Sequence, residues 1–190
     1  MHQAAEGAAG RIVAVNVGVP KLIGTAMGPV MSGIVKTPVS GPLMLRTLNF
    51  DGDAQADLGV HGGVAKAVYC YPHEHYAPWA AELARAAGGP GWFGENITTE
   101  GLLETTVRIG DVLRVGRARV EVTRPRSPCF KLAGRMGVRG FERMFQRSGR
   151  SGWYAMVLEE GLVGAGDVVV REAQGDGPTI AEAFGLRAEG

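Results

Sequence analysis

Apolar and polar residues alternate along this chain in short stretches, the pattern of half-buried strands. Residues 12–19 predict a strand with Val13, Val15, Val17 and Val19 on one face. Further strands are predicted over 43–48, 64–71 and 168–171, with shorter ones at 34–36 and 97–99. Residues 153–158 are continuously apolar, as in a buried strand. The clearest pairing joins 111–115 to 118–123. There Gly116-Arg117 fits a two-residue turn with glycine first, which sets Leu113 opposite Val120 and Val115 opposite Ala118.

Two segments follow a helical period instead. One opens at Pro72 and runs to about residue 87, with Trp79, Leu83 and Ala86 inward and Gly88-Gly89-Pro90 as its stop. The other covers 138–147, with Val138, Phe141 and Phe145 inward and arginines outward. A short helix at 180–186 has nothing after it to pack against. Residues 20–40 and 49–63 read as loops, and residues 1–10 as a disordered start. Gly110-Asp111-Val112 recurs as Gly166-Asp167-Val168, each before a strand, which is a reused turn and not a repeat architecture. Many short strands with a few helices predict a mainly β fold with α additions, a β-barrel with peripheral helices. The barrel domain is expected over 11–172. The tail at 173–190 lies after it and carries the short helix predicted at 180–186.

Composition adds to this picture in three ways. Thirty glycines and ten prolines among 190 residues favour turns and short strands over a helical bundle. Two cysteines are too few for a disulfide framework. No charged segment followed by an apolar stretch opens the chain and no apolar run is long enough to span a bilayer, so a cytoplasmic location is expected, with no membrane partner.

Net charge is +1, but residues 114–150 hold eleven Lys and Arg against Glu121 and Glu142, a local +9. Such a region implies an anionic partner: a phosphate, a phosphorylated cofactor or a nucleic acid. A solvated helix face accounts for about half of these cations.

The chemistry concentrates in Arg124-Pro125-Arg126-Ser127-Pro128-Cys129. The prolines stiffen the loop, and the neighbouring cations Arg126 and Lys131 favour a thiolate at Cys129. Cys129 is therefore the candidate nucleophile or metal ligand, whereas Cys70 lies in an apolar strand and reads as core. Asp51, Asp53 and Asp57 lack the pattern of a calcium loop and read as turn residues, with Asp53 able to orient a basic residue of the site. His61-Gly62-Gly63 offers an imidazole and backbone amides to a ligand, or simply a tight turn. His73 and His75 diverge on a helix, and no zinc ligand set is present. Gly94-Glu95-Asn96-Ile97-Thr98-Thr99 combines a flexible glycine with ligand-binding polar groups. There is no Walker A loop, dinucleotide fingerprint or nucleophile elbow.

Taken in order, these pieces resemble the MOSC domain family, named for the C-terminal domain of molybdenum-cofactor sulfurase. The likeness rests on Asp51-Gly52-Asp53 with Gln55; on His61-Gly62-Gly63 through Tyr71-Pro72-His73-Glu74-His75-Tyr76 to Trp79; on Phe93-Gly94-Glu95-Asn96-Ile97-Thr98-Thr99; and on Ile109-Gly110-Asp111 and Pro125 through Leu132. It is nearest to the bacterial branch that reduces N-hydroxylated compounds such as hydroxylaminopurines; that branch carries a small helical domain after the barrel, so the resemblance implies that residues 173–190 are either the tail of a shorter variant or the start of a truncated helical extension.

The resemblance implies a MOSC-type β-barrel that binds the molybdenum cofactor, with the thiolate of Cys129 as a metal ligand. It implies Arg126, Lys131 and Lys66 as groups for the cofactor phosphate, and Ser127, Asn96 and His61 as groups orienting cofactor or substrate. Expected partners are a small N-hydroxylated substrate and an external electron-donor protein, with a homodimer left open. A second reading is a sulfur-carrier or cofactor-handling module with a persulfide on Cys129. A third, ranked last, is a nucleic-acid-binding barrel that uses Phe130, Phe141 and Phe145 as a stacking groove.

Overall fold

A computed structural model describes residues 8–54 and 63–188. The strands are β1 (Ala8–Val17), β2 (Lys21–Ile23), β3 (Val30–Ser32), β4 (Thr37–Pro38), β5 (Leu43–Leu45), β6 (Val68–Pro72), β7 (Ile97–Glu100), β8 (Val112–Val115), β9 (Ala118–Pro125), β10 (Trp153–Glu159), β11 (Gly161–Val163) and β12 (Val168–Ala173). The helices are α1 (Tyr76–Glu82), α2 (Phe130–Met136), α3 (Phe141–Ser148) and α4 (Ile180–Ala188).

Seven strands, in the order β12-β8-β9-β10-β6-β7-β1, close into a barrel through the β1–β12 pairing, and β4 adds to the free side of β1. Among the described residues, closure leaves the barrel no long exposed edge for another chain to pair with. All barrel pairings are antiparallel except β6–β7. Outside the barrel, β2 pairs with β3 and β5 with β11. The β8–β9 hairpin has the register expected from its turn, Leu113 opposite Val120 and Val115 opposite Ala118, with Gly116 at φ +59°. A positive φ there costs glycine little.

Two apolar clusters sit on opposite faces of β6. Val68 and Cys70 point into the barrel with Ile12, Val15, Ile97, Val120, Val122 and Trp153. Tyr69 and Tyr71 point outward into an aromatic layer with Trp79, Phe93, Phe141 and Phe145, which α1, α2 and α3 cover. That is why every residue of β6 is buried.

Several elements depart from the sequence expectation. β1 begins at Ala8 and carries a bulge between Ile12 and Ala14, so parity flips within the strand. Ile12 and Val15 face the core instead of an unbroken valine row, and Val19 is exposed. No strand forms at 34–36, because the chain pairs at 30–32 and 37–38 on either side. Pro72 ends β6 and does not open a helix. A 3-10 turn at His73–His75 precedes α1, which stops at Glu82 just before Ala84 at φ +49°, leaving Ala86 exposed. α2 was not foreseen, nor were the short β2 and β11. α4 does have a packing partner: Ile180 joins the barrel core, and Ala183 and Phe184 are buried.

The corner leading into β7 organises this end of the barrel. Glu95 is fully buried and accepts hydrogen bonds from the Tyr76 hydroxyl, Gly91 N (2.8 Å), Phe93 N (3.0 Å) and the Thr98 hydroxyl (2.9 Å). Burial pushes the carboxyl pKa upward against those donors. Replacing the carboxylate leaves four donors without their acceptor, two of them backbone groups. Glu95→Ala is expected to lower unfolding stability by about 3 kcal/mol or more in urea titrations; a loss below about 0.5 kcal/mol would show that the corner holds without it.

Candidate functional site

Tyr154 on β10, Tyr69 on β6 and Asn96, just before β7, lie at one level across neighbouring elements. Tyr69 is in register with Tyr154, and Asn96 N donates to Tyr69 O at 2.8 Å. The level continues to β1, where Asn16 N donates to Asn96 O at 2.7 Å. A cleft opens over this row, outside the barrel wall. Ser32, Gly33, Ile34 and Lys36 close one side, and Arg126, Ser127, Cys129 and Lys131 the other. Asp53, Lys66 and Gly94 complete the lining. Gly94 is required here: its φ is +84°, and a Cβ would lie 2.5 Å from the Ile34 side chain.

β9 runs to Pro125 and feeds the loop that crosses to α2. Cys129 is the last residue before α2, partly exposed, and its carbonyl accepts from Leu132 N at 2.9 Å. Neither cysteine is in a disulfide. Cys70 faces the barrel interior, and burial pushes its pKa up to about 12.

Arg126 is 5% exposed. Its guanidinium lies 5.0 Å from the Tyr69 ring centroid and 5.2 Å from that of Phe145, a cation–π placement on both. Burial works against its charge, but the Tyr69 and Tyr154 hydroxyls and the Cys129 sulfur outweigh that, and its pKa is raised. Its Nη1 is buried without a hydrogen-bond partner. An orphaned cationic donor in a cleft suits an incoming anionic or acceptor group.

The opposite wall carries a buried ion pair, Lys36 with Asp53. Asp53 also accepts from Gly18 N (2.9 Å) and from Asn96 Nδ2 (2.9 Å), so Asp53 does orient a basic residue, Lys36. Burial pulls the Lys36 pKa down, opposed by the Asp53 and Glu95 charges. Asn96 spends its amide within the protein: Oδ1 accepts from Tyr69 N at 3.2 Å, and Nδ2 serves Asp53 and the Asn16 carbonyl.

The structure thus gathers Cys129, Arg126, Ser127, Lys131, Lys66 and Asn96 around one cleft. His61, with Gln55 and Asp57, lies outside the described residues. Lys36, Tyr69, Tyr154 and Ser32 line the cleft but were not singled out from the sequence. Lys36 sits in an irregular segment with no motif, and the tyrosines read as ordinary strand residues. His75 pairs with Glu104 at 2.7 Å, away from the cleft lining. Among the described residues, no group of three or more His, Cys, Asp and Glu side chains converges on a common point. Nor is any helix long and apolar enough to cross a membrane.

The MOSC domain model matches residues 57–170. The chain belongs to the MOSC domain family. It is 44% identical over 155 residues to YflK of Bacillus subtilis (strain 168), covering 82% of this chain and 70% of that protein. It is 36% identical over 150 residues to a protein of Gibberella moniliformis (strain M3125 / FGSC 7600) named as a reductase, covering 77% of this chain but only 26% of that one. The crystal structure of YiiM from Geobacillus stearothermophilus superposes with a TM-score of 0.78 at 34% identity, over 94% of this chain and 83% of that one. The MOSC barrel expected from the sequence is the fold observed.

The two thiols of this MOSC domain differ sharply in access. With an aromatic disulfide reagent at pH 8, the native protein should release about one thiol equivalent, and about two after denaturation. Mass mapping should place the fast label on Cys129. Equal labelling of Cys70 in the native state would mean the barrel interior is open.

Proposed function

We propose that this protein is a molybdenum-cofactor-dependent oxidoreductase that reduces N-hydroxylated compounds of the hydroxylaminopurine kind, with Cys129 as the protein ligand to the metal. The observation that carries this reading is the unpartnered, buried Nη1 of Arg126 in a cleft walled by Cys129. Thiolate is a soft ligand suited to such a metal. A phosphorylated pterin needs cationic donors, and Arg126, Lys131, Lys66 and Lys36 all line this cleft. The residues present therefore fit the group. The reductase name of the Gibberella relative, whose matched part is only 26% of its length, points to the same class of chemistry.

When bound, the cofactor supplies the two-electron redox chemistry. The rest of the work falls to the chain. Cys129, on a proline-stiffened loop, would hold the metal through its thiolate. Arg126, held over the Tyr69 and Phe145 rings, presents a preorganised donor. The Asp53–Lys36 pair, locked by Asn96, keeps one wall of the cleft ordered and its charges balanced. Tyr154 closes the cleft beside Arg126. The overall conversion takes two electrons and two protons per molecule: the N–O bond breaks, N–H forms and water leaves.

Metal analysis after expression in a cofactor-competent host, together with hydroxylaminopurine reduction, tests the reading. Cys129→Ser should lose nearly all activity. Arg126→Gln should retain the fold and lower cofactor affinity about tenfold or more, the scale of one charge-assisted hydrogen bond. Full molybdenum content and full reduction by Cys129→Ser would overturn the assignment. A Cys129 adduct of about 32 Da, one sulfur atom, on protein that binds no molybdenum would favour the sulfur-carrier reading.

A further inference from the structure

Outside the cleft, seven arginines of the basic window fall into two groups, paired and unpaired. Arg114 and Arg119 pair with Glu172, Arg119 also with Glu159, and Arg150 with Glu82. Arg135, Arg139, Arg143 and Arg147 make no ion pair among the described residues. They recur every fourth residue through α2, the following turn and α3, and the last three are exposed. Arg143 and Arg147, one turn apart on α3, repel one another, so this basic face costs stability within the isolated chain.

Beside the ridge runs a groove between the β2–β3 turn and helices α2 and α3. Met27, Phe130, Val138, Arg139, Glu142 and Arg143 line it, so its cations outnumber its one carboxylate. Met27, Phe130 and the neighbouring Met144 are among the exposed large apolar side chains. Phe130 follows Cys129 directly, so one end of the groove abuts the cleft.

We propose that this groove is the docking surface for an acidic electron-carrier protein, one that holds a flavin. The inference rests on the reductase reading above, since only a redox site needs a carrier brought to its edge. An apolar centre flanked by Arg139 and Arg143, with Arg147 beyond and Glu142 the one acid in the lining, is complementary to a carrier with an apolar tip ringed by carboxylates. A nucleic acid fits less well. Phe141 and Phe145, the rings a stacking groove would need, are fully buried, and Phe130 alone remains at the surface. A reduced flavin carrier delivers one electron at a time. Two such transfers and two protons then match each N–O bond broken and each water released.

The test uses the full chain loaded with cofactor, a bacterial flavodoxin as the acidic probe, and the charge-reversed double variant Arg139→Glu/Arg143→Glu. The wild type is expected to bind flavodoxin at low ionic strength and less tightly as salt rises. The double variant should bind about tenfold more weakly, and flavodoxin-driven turnover should fall to match. Molybdenum content and turnover driven by reduced methyl viologen should not change, because neither arginine lines the cleft.

Equal flavodoxin binding by wild type and variant would overturn the proposal. So would no binding at low salt, or tighter binding to single-stranded DNA or phosphatidylglycerol vesicles. Salt-sensitive, ridge-dependent flavodoxin binding without viologen-driven turnover in the wild type would sink the reductase reading and leave the docking surface standing.

Discussion

Four donors converge on the buried Glu95 carboxylate, and the cleft is positioned by what that convergence fixes. Through Tyr76 the corner is tied to α1. Through Gly91 and Phe93 it sets the tight approach that lets Gly94 pass Ile34. The next residue, Asn96, then bonds β6, β1 and Asp53 at once, and Asp53 holds Lys36. A loop of low regularity is thereby locked to a rigid sheet. This is the usual arrangement for a site that must keep its geometry while its ligand comes and goes.

The opposite wall is held by a different device. Arg126 has no carboxylate against it among the described residues; it lies on the aromatic layer between barrel and helices. Cation–π contact offsets part of the cost of burying the charge without consuming its hydrogen-bonding capacity. A carboxylate partner would have stabilised the apo protein more but taken up the donor. The two walls therefore differ in kind: Lys36 is neutralised by Asp53, while Arg126 keeps a donor for a ligand.

The barrel was legible in the sequence because its strands carry a period of two and its best hairpin has a turn with one sensible register. The irregular parts were not. The bulge in β1 inverts the parity that the valines suggest, and nothing local announces it. α2 is seven residues long with a glycine inside, too short for a helical period to stand out. At the site, Cys129, Arg126 and Lys131 were visible because they sit together in one motif. Lys36 and Tyr154 come from distant segments that only the fold brings within reach. Asn96 was visible as a polar residue, but its amide is committed inside the protein, a fact that only the hydrogen-bond network shows.

The arginine ridge has a thermodynamic side as well. Dissolved ions screen the repulsion among its members, so salt relaxes a strain that the fold itself creates. The same screening weakens attraction to any acidic surface that covers the ridge. Folding and association at this face thus answer to ionic strength with opposite signs. The protein is most comfortable alone in concentrated solution, and most receptive when ions are scarce.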